Sequence, residues 1–478
     1  MQDVIIIGCG VVGAACAYRL SRFRLRLTVL EALSDVAGGT TKANSAILHA
    51  GYDPEPDKRM ARLNVEGVRL AEEICAKLDV PYRKTGSLVL AFDEKDRACL
   101  RTLLARGEKN GVTGLRLLTG DEARALEPEL SGEVREALLA PSAAIVNPWE
   151  YALAMAETAV RNGAELHLSC PVTAIAREGD GFAVTTPKGV FHGRYIINAA
   201  GVHADRVHEL IGEKNFTIRP AKGEYYLLDK SEGTRVSRVI FQCPGPKGKG
   251  VLVSPTVHGN LIVGPTAEPS DPEDTSNTAQ GLQKVRELAV RSVPGVRFRE
   301  NIRNFAGVRA SSDRGDFILE ESPAVPGFFN AAGICSPGLS AAPAIADELT
   351  ALLAEKGLPL EEKEEFIDTR RRVRFHDLDD GARNALIAAD PRYGRMICRC
   401  ETVTEGEIID CLRAPIPPAS INGVKRRVGA GMGRCQGGFC GPRIQEILAR
   451  ELGVPPEAIP LEEPGSYILT GETKEAWT

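Results

Sequence analysis

The chain has 478 residues and a formal net charge of −5, with 43% hydrophobic and 26% charged residues. The acidic balance gives no electrostatic reason to expect a nucleic-acid partner, and no apolar run approaches the ~18 residues of a membrane helix. Because a single core stops growing at roughly 250–300 residues, we expect two or three domains. The N-terminal segment MQDVIIIGCG lacks the basic region and cleavage site of a signal peptide, so we expect a cytoplasmic protein.

The first predicted element is a buried strand that leads through a glycine turn into a helix. Residues 4–7 are apolar, and GCGVVG follows them before the helical pattern AACAYRLSR. In this motif Gly8 permits the tight turn, Gly10 lets the backbone approach a pyrophosphate, and Gly13 lets helix and strand pack closely. The phosphates would then lie at the positive end of the helix. The complete strand–turn–helix context predicts a dinucleotide site.

The second predicted strand, residues 27–30, delivers an acidic residue and then a loop of small residues. Glu31 follows Gly13 by eighteen positions, where a carboxylate can bond the ribose hydroxyls of an adenosine. The loop favours FAD, because an extended FAD must pass this turn and needs both room and backbone donors. The loop residues that we expect to bind it are Gly39, Thr40, Thr41, Asn44 and Ser45.

Two later strands repeat the order of strand and then small residues. Residues 195–198 lead to Ala200 and Gly201, and residues 328–332 lead to Gly333. A helix then begins near residue 338, and its positive N-terminus could stabilise the N1–C2=O edge of a flavin that gains negative charge on reduction. The residues that we expect at this helix start are Gly338, Leu339 and Ser340.

Two of these segments carry a family resemblance. GTTKANSAILHAGYDPEP and NAAGICSPGLSAAPAIA resemble FAD-dependent oxidoreductases of the D-amino-acid-oxidase and glycerol-3-phosphate-dehydrogenase superfamily, across roughly residues 1–357. They look most like the branch that includes L-2-hydroxyglutarate oxidases and bacterial glycerol-3-phosphate dehydrogenases. In this branch the substrate carbon lies over the flavin and hydride passes to flavin N5.

The resemblance implies an α/β FAD-binding (Rossmann-like) domain and an α+β substrate domain. We expect the FAD-binding domain to be discontinuous, with residues 1–82, 142–215 and 325–357, and the substrate domain to comprise residues 83–141 and 216–324. The resemblance also suggests that Val172 meets the adenine through its backbone.

The resemblance further implies a histidine that accepts the substrate hydroxyl proton and cationic or hydroxyl groups that bind an anionic tail. His49 is the base candidate because an imidazole titrates near neutral pH; the alternative is a histidine satisfied in the interior. Arg309 resembles the arginine directed at the substrate carboxylate or phosphate, with a surface salt bridge as the alternative. Lys222 and Tyr225 lie where relatives place substrate-facing groups, and at most one of Tyr225 and Tyr226 would face the flavin.

The composition changes at about residue 358. Residues 358–394 are dense in charge and predict a solvated, partly helical linker. Residues 395–453 then carry four cysteines in the pattern CxC…CxxxxC, with a capping box at Thr404 and Glu407 that opens a short helix. Residues 454–478 form a C-terminal tail.

The four cysteines Cys398, Cys400, Cys435 and Cys440 leave three possibilities. Tetrahedral zinc suits four thiolates but usually takes CxxC pairs. A disulfide does not suit a reducing cytoplasm. A [2Fe–2S] cluster suits four cysteines among glycines, and the spacing resembles the bacterioferritin-associated-ferredoxin-like domain, a small helical [2Fe–2S] module. We favour the cluster and expect Cys411 to be a packing residue.

The joint presence of FAD and a one-electron cluster predicts a dehydrogenase. The leading hypothesis is oxidation of a small anionic secondary alcohol, sn-glycerol 3-phosphate; the alternatives are L-2-hydroxyglutarate or another 2-hydroxy acid, an amino or imino acid, and an electron-transfer subunit with no substrate of its own. No second GxGxxG with a following acid is present, so no NAD(P)H site is expected. The resemblance implies an electron-accepting partner subunit, either a second flavoprotein or a quinone-linked protein, in a hetero-oligomer that could lie peripherally on the inner membrane.

Overall fold

The computed structural model describes residues 1–245 and 250–471. Its strands, in chain order, are β1 (Gln2–Ile7), β2 (Leu27–Leu30), β3 (Ile47–Leu48), β4 (Tyr82–Lys84), β5 (Ser87–Ala91), β6 (Arg116–Thr119), β7 (Glu136–Ala140), β8 (Ala144–Val146), β9 (Glu165–His167), β10 (Ala174–Glu178), β11 (Gly181–Thr186), β12 (Gly189–Asn198), β13 (Ile218–Leu228), β14 (Val239–Gln242), β15 (Leu252–Pro255), β16 (Leu261–Gly264), β17 (Glu268–Pro269), β18 (Asn301–Ser312), β19 (Ile318–Glu321), β20 (Phe328–Ala332), β21 (Met396–Cys398) and β22 (Val403–Thr404).

Helices cover the sheets and build most of the C-terminal region. They are α1 (Val11–Leu20), α2 (Arg59–Lys77), α3 (Glu94–Lys109), α4 (Gly120–Leu126), α5 (Pro148–Arg161), α6 (Ala204–Glu209), α7 (Ala279–Ser292), α8 (Gly338–Glu355), α9 (Asp380–Ala389), α10 (Glu405–Leu412), α11 (Ile421–Val428) and α12 (Gly441–Leu452). None of these helices is long and apolar enough to cross a membrane within the described part of the chain.

The first sheet has the doubly wound arrangement that the sequence predicts. Its path runs β10-β11-β12-β1-β2-β9, and β20 pairs with β12 and β19. The central strands β1, β2, β12 and β20 are parallel, and a parallel strand covered on both faces is apolar throughout. Val4, Ile5 and Ile6 are accordingly fully buried. Helices α1, α5 and α8 pack together around this core.

The second sheet follows the path β17-β13-β16-β15-β14-β5-β7-β6, with β18 on the other side of β13. It is largely antiparallel and has α3 and α7 as neighbours. The longest pairing is the β13–β18 ladder, in which Ala221 lies opposite Arg309, Tyr225 opposite Phe305 and Leu227 opposite Arg303. The α/β and α+β fold classes are therefore both confirmed.

The C-terminal domain is small and helical, as predicted. β21 and β22 form a short antiparallel pair, and α10, α11 and α12 pack around a core of their own. The capping box is present: Thr404 N donates to Glu407 Oε2 at 2.8 Å, and Glu407 N donates to Thr404 Oγ1 at 3.3 Å. Cys411 is buried in this core and is a packing residue.

The prediction of a solvated linker is wrong for the alternate arginines Arg370, Arg372 and Arg374, while the residues between them are exposed. Arg370 is only 7% exposed and its Nε donates to Glu157 Oε2 at 2.7 Å. Arg372 and Arg374 bind Glu150 Oε1 at 2.6 and 3.1 Å. Burial opposes the ionisation of Glu150, but the three guanidinium groups outweigh it and lower its pKa to about 2. The three arginines thus pair with buried carboxylates on α5 and compensate the free-energy cost of burying those charges.

A second buried ionic contact joins the C-terminal domain to the loop after β2. Asp35 accepts hydrogen bonds from Arg427 Nη1 at 2.8 Å, Arg427 Nη2 at 2.9 Å and Arg426 Nη2 at 3.0 Å. Burial opposes the charge of Asp35, but Arg427 and Arg426 lower its pKa. In the same contact Lys42 Nζ lies 3.1 Å from Glu462 Oε1. We call this set of residues the Asp35 anchor.

Replacement of Asp35 by alanine should destabilise the chain by about 3–5 kcal/mol, because the buried guanidinium of Arg427 would lose its carboxylate while Arg426 keeps Glu462. Urea unfolding followed by circular dichroism measures the loss. The matched control is Asp121→Ala, which removes an exposed carboxylate 2.6 Å from Arg124 and should cost less than about 1 kcal/mol. Equal midpoints for the two variants would contradict the anchor.

Candidate active site

The glycine turn after β1 has the geometry that a pyrophosphate site requires. Gly8 has φ +96°, and a Cβ there would lie 2.6 Å from Ala199 O. A Cβ on Gly13 would lie 1.9 Å from Gly8 O, so the helix α1 approaches the strand as closely as predicted. Among the described residues, a Cβ on Gly10, just before α1, would meet Thr41 Oγ1 alone, at 3.3 Å. The backbone is therefore tightly packed at Gly8 and Gly13, whereas space for a ligand remains beside Gly10.

Glu31 stands at the end of β2 beside this turn. Its Oε2 accepts a hydrogen bond from Cys9 N at 2.6 Å and its Oε1 accepts one from Leu33 N at 2.9 Å. Burial raises the pKa of Glu31 despite these two donors. Cys170 N donates to Glu31 O at 2.8 Å, which brings the segment with half-buried Val172 to the same edge of the sheet.

The loop of small residues connects the start of α1 to the β13–β18 ladder. Thr41 Oγ1 accepts a hydrogen bond from Val11 N at 2.9 Å, and Thr40 Oγ1 donates to Val308 O at 2.6 Å. Asn44 Nδ2 donates to Thr41 O at 2.8 Å, which holds the loop in a compact turn. The described neighbours leave open space beyond Gly39. We call residues 37–45 the cofactor loop.

The remaining predicted FAD residues lie at the same edge, because parallel strands end together. Gly201 follows β12 with φ +59°, and Gly333 follows β20 with φ +66°. Ala200 N lies 3.4 Å from Asn198 Oδ1 at the end of β12. The first turn of α8 starts at this edge with Gly338, Leu339 and Ser340. The predicted residues therefore stand together at the carboxyl edge, where doubly wound sheets bind their ligands.

Tyr225 and Arg309 lie on the β13–β18 ladder next to the cofactor loop. Tyr225 is 3% exposed, stacks on Phe305 with ring centroids 4.7 Å apart, and has its hydroxyl 3.1 Å from Ser45 Oγ. Arg309 is half-buried, and its Nη1 and Nη2 both lie 3.2 Å from Thr266 O. Of the two tyrosines, Tyr225 is the one whose hydroxyl contacts the cofactor loop among the described residues.

His49 follows β3 and is held from both sides. Its backbone N donates to Ser340 Oγ at 2.7 Å, and its carbonyl accepts from Asn64 Nδ2 at 2.7 Å. Its ring Nε2 lies 3.4 Å from Ser336 Oγ, and the ring packs 5.6 Å from that of Phe241. The histidine thus stands next to the first turn of α8.

Lys222 does not join this group. Residues directly opposite in a ladder share a face, so Arg309 shares one with Ala221, and side chains alternate along a strand. Lys222 therefore points to the other face, where its Nζ lies 2.6 Å from Asp274 Oδ2 and 3.2 Å from Ser276 Oγ. This ion pair, made across 52 residues of sequence, argues against the predicted role of Lys222 in substrate binding.

Two glycines of the ladder were missed by the sequence reasoning. A Cβ on Gly223 would lie 2.7 Å from Arg309 Nη2, so this glycine makes room for the guanidinium. A Cβ on Gly307 would lie 1.8 Å from Ala43 O, so this one lets the ladder approach the cofactor loop. Each glycine sits inside a strand, where a glycine often marks close approach of another group, and that is the signal that could have identified them.

The four C-terminal cysteines form two pairs. Cys400 Sγ and Cys435 Sγ are 3.6 Å apart, while Cys398 and Cys440 are buried and hydrogen-bonded to each other. The hydrogen bond with Cys440, followed by amide hydrogen bonds from Gly431 and Glu401, lowers the pKa of Cys398 to about 6.

Two thiol pairs wrapped by backbone amides fit a binuclear iron–sulfur centre. The Cys435 sulfur accepts hydrogen bonds from the amides of Phe439 and Gly437, which lower the pKa of its thiol. Thiolates are the ligand form, and amide donors to sulfur stabilise their negative charge. Among the described residues, no three His, Cys, Asp or Glu side chains converge as they would on one metal ion. The four thiols would together hold the two irons of such a centre.

The fold and these two sites define a flavin-dependent oxidoreductase with an appended iron–sulfur domain. Comparison with known families agrees: the FAD dependent oxidoreductase model matches residues 3–352, and the BFD-like [2Fe-2S] binding domain model matches residues 396–450. The chain belongs to this FAD dependent oxidoreductase family. FAD and a [2Fe–2S] cluster are its cofactors.

Known relatives extend the similarity over the whole chain. The chain is 45% identical over 476 residues to a glycerol 3-phosphate dehydrogenase of Caloramator mitchellensis, with 99% of both chains covered. It is 31% identical to a glycerol 3-phosphate oxidase of Mycoplasma genitalium, over 73% of this chain and 94% of the relative. The structure of FAD-bound L-alpha-glycerophosphate oxidase from Mycoplasma pneumoniae is similar with a TM-score of 0.74 and 31% identity, covering 77% of this chain and 98% of that one.

Replacement of Gly10 by alanine should weaken FAD binding by about tenfold or more, because the methyl group would occupy the space where the backbone approaches the pyrophosphate. The ratio of flavin to protein absorbance, and titration of the deflavinated protein with FAD, measure the effect. Gly132→Ala is the matched control, since the described neighbours leave open space there too. Native FAD affinity in Gly10→Ala would show that the cofactor does not pass this turn.

Proposed function

We propose that this protein is a dehydrogenase that oxidises sn-glycerol 3-phosphate to dihydroxyacetone phosphate. The observation that carries the proposal is the similarity to the Caloramator glycerol 3-phosphate dehydrogenase, which spans both the FAD part and the iron–sulfur part. The Mycoplasma relatives, named as oxidases of the same substrate, support the choice of substrate from the FAD part alone.

The substrate would lie between the first turn of α8 and the β13–β18 ladder. We propose that Arg309 binds the phosphate, because its forked donors suit that group and Gly223 leaves it room. We propose that His49 takes the hydroxyl proton at Nε2, since the two hydrogen bonds to its backbone fix the residue beside the helix start. Tyr225 would line the site from the ladder through its contact with Ser45.

The two cofactors supply the redox chemistry of this proposal. Bound FAD accepts two electrons from the secondary alcohol, and a [2Fe–2S] cluster passes electrons one at a time. We propose that a separate electron-accepting protein in the cytoplasm, a second flavoprotein or a quinone-linked subunit, takes them from the cluster in a hetero-oligomer.

L-2-hydroxyglutarate is the second candidate substrate. Relatives named as L-2-hydroxyglutarate dehydrogenases, such as that of Mus musculus, are 32% identical over 55% of this chain. A carboxylate and a phosphate call for the same donors, so Arg309 alone does not choose between them.

Anaerobic mixing of the holoenzyme with sn-glycerol 3-phosphate should bleach the flavin absorption band within the time of a single turnover. The reason is that electrons from the alcohol stay on the protein when no acceptor is present. L-2-hydroxyglutarate and a panel of amino acids serve as comparison substrates. Bleaching by L-2-hydroxyglutarate alone would transfer the proposal to that substrate, and no bleaching by any of them would leave only an electron-transfer role.

Replacement of Arg309 by alanine should raise KM for sn-glycerol 3-phosphate by about 10- to 100-fold, because a hydrogen-bonded charge pair contributes about 1.5–3 kcal/mol. FAD content should stay at the native level. The control Arg219→Ala removes an exposed arginine from the same ladder and should leave KM unchanged. Loss of FAD from Arg309→Ala would assign the residue a structural role instead.

A further inference from the structure

The residues that flank Cys400 and Cys435 contact the second sheet. Glu401 directly follows Cys400, and its Oε2 accepts a hydrogen bond from Lys230 Nζ at 2.8 Å. Arg434 directly precedes Cys435 and is ion-paired with the second sheet as well. The edge formed by these two cysteines therefore faces the second sheet. We call it the docked edge.

Arg434 joins two carboxylates at the end of the β13–β18 ladder. Its Nε lies 3.3 Å from Asp229 Oδ2 and its Nη2 lies 2.5 Å from Glu300 Oε2. Asp229 N donates to Glu300 O at 2.9 Å, so the two acidic residues are neighbours across the ladder. Like charges at such positions repel. The guanidinium of Arg434 compensates both of them from the C-terminal domain.

The same ladder contacts the cofactor loop along its middle. Tyr225, whose hydroxyl lies 3.1 Å from Ser45 Oγ, precedes Asp229 by four residues, which is about 13 Å of strand. On the opposite strand Arg303 Nη1 lies 3.4 Å from Oε1 of Gln436, the residue after Cys435. One rigid ladder therefore touches both the cofactor loop and the docked edge.

The second cysteine pair has different surroundings. Phe439, directly before Cys440, is 84% exposed, and Arg399, directly after Cys398, is exposed as well. Arg443 is exposed too, and its Nη1 lies 3.5 Å from Met396 O within the same domain. The residues that flank this pair are thus exposed, whereas those that flank Cys400 and Cys435 form ion pairs with the second sheet. We call the side of the domain with Phe439, Arg399 and Arg443 the open side.

We infer that Arg434, together with Glu401, positions the docked edge on the ladder so that electrons enter the cluster there. The inference rests on the proposed function only for the source of the electrons. Reduced FAD holds two electrons, and the oxidised cluster accepts one as one iron(III) becomes iron(II). The second electron stays on the FAD until a one-electron acceptor has reoxidised the cluster.

Arg434 orients the domain, and the Asp35 anchor holds it. The Arg434 side chain is 63% exposed, and exposed ion pairs contribute little stability and are screened by salt. The Asp35 anchor is buried and keeps the C-terminal domain attached when these outer pairs are weakened. Loss of Arg434 should therefore alter the rate of electron entry without releasing the domain.

The test uses the anaerobic holoenzyme, with the FAD reduced by light and EDTA and, separately, by sn-glycerol 3-phosphate. Flavin bleaching and the paramagnetic signal of the reduced cluster are followed in time by absorption and freeze-quench electron paramagnetic resonance. In Arg434→Glu, cluster reduction should be slower by about tenfold or more, since three carboxylates would then repel one another. Flavin reduction should keep its native rate.

The matched control is Arg443→Glu. It makes the same change of charge three residues from Cys440 but on the open side of the domain, so cluster reduction should keep its native rate. Arg434→Lys should restore part of the rate, because a lysine retains the charge without the fork that reaches both carboxylates. The reduction potential of the cluster is measured for each variant by redox titration. A slower reduction at an unchanged potential indicates that the domain is displaced, whereas a changed potential indicates a direct effect of the charge on the cluster.

A second readout does not depend on activity. A carbodiimide joins a lysine and a carboxylate that are in direct contact, so it should link Lys230 to Glu401 in the native protein, as detected by mass spectrometry. The link should be largely lost in Arg434→Glu and kept in Arg443→Glu.

Native cluster reduction in Arg434→Glu, or equal slowing in Arg443→Glu, would overturn the inference. If Arg434→Glu fails to assemble its cluster, the double variant Asp229→Asn, Glu300→Gln breaks the same contact from the second sheet and should give the same slowing. Bleaching by light but not by sn-glycerol 3-phosphate would contradict the proposed function and leave the rate comparison intact.

Discussion

The buried pairing of Asp35 with Arg426 and Arg427 is the constraint on which the arrangement of the chain depends. A carboxylate taken out of water is tolerated only with full compensation, and the compensation here comes from residues almost four hundred positions away. Asp35 also lies between Glu31 and the cofactor loop. The segment that forms the nucleotide site is consequently held on one side by its own sheet and on the other by the C-terminal domain.

The β13–β18 ladder complements this anchor by giving the chain a common rigid reference. Arg309 and Tyr225 are placed on one face of it, next to the cofactor loop, and Asp229 and Glu300 at its end meet the C-terminal domain. The contact with the cofactor loop lies beside the proposed FAD site, where two electrons are held. The contact with the C-terminal domain lies beside the proposed cluster, which carries one electron at a time. Because both are fixed to one pair of hydrogen-bonded strands, their separation does not depend on the motion of a linker.

Local patterns in the sequence predicted most of the fold and the motifs from which the cofactor residues are proposed, and long-range contacts account for the rest. The glycine turn, Glu31 and the cysteine spacing are short motifs whose geometry follows from adjacent residues, so the sequence located them. The ion pair of Lys222 with Asp274 and the burial of Arg370 against α5 depend on partners far along the chain. A charged run looks the same in sequence whether it meets water or buried carboxylates, and only the fold distinguishes the two.

The arginines of residues 370–374 also have a consequence for the order of events during synthesis. Glu150 and Glu157 on α5 precede Arg370 by 220 and 213 residues, which a ribosome adds in roughly 10–40 s. Throughout that interval the helix carries two carboxylates without their counter-charges, and Asp35 waits longer still for Arg427. The contacts that join α5 and the loop after β2 to the later arginines are therefore completed only after most of the chain has been synthesised.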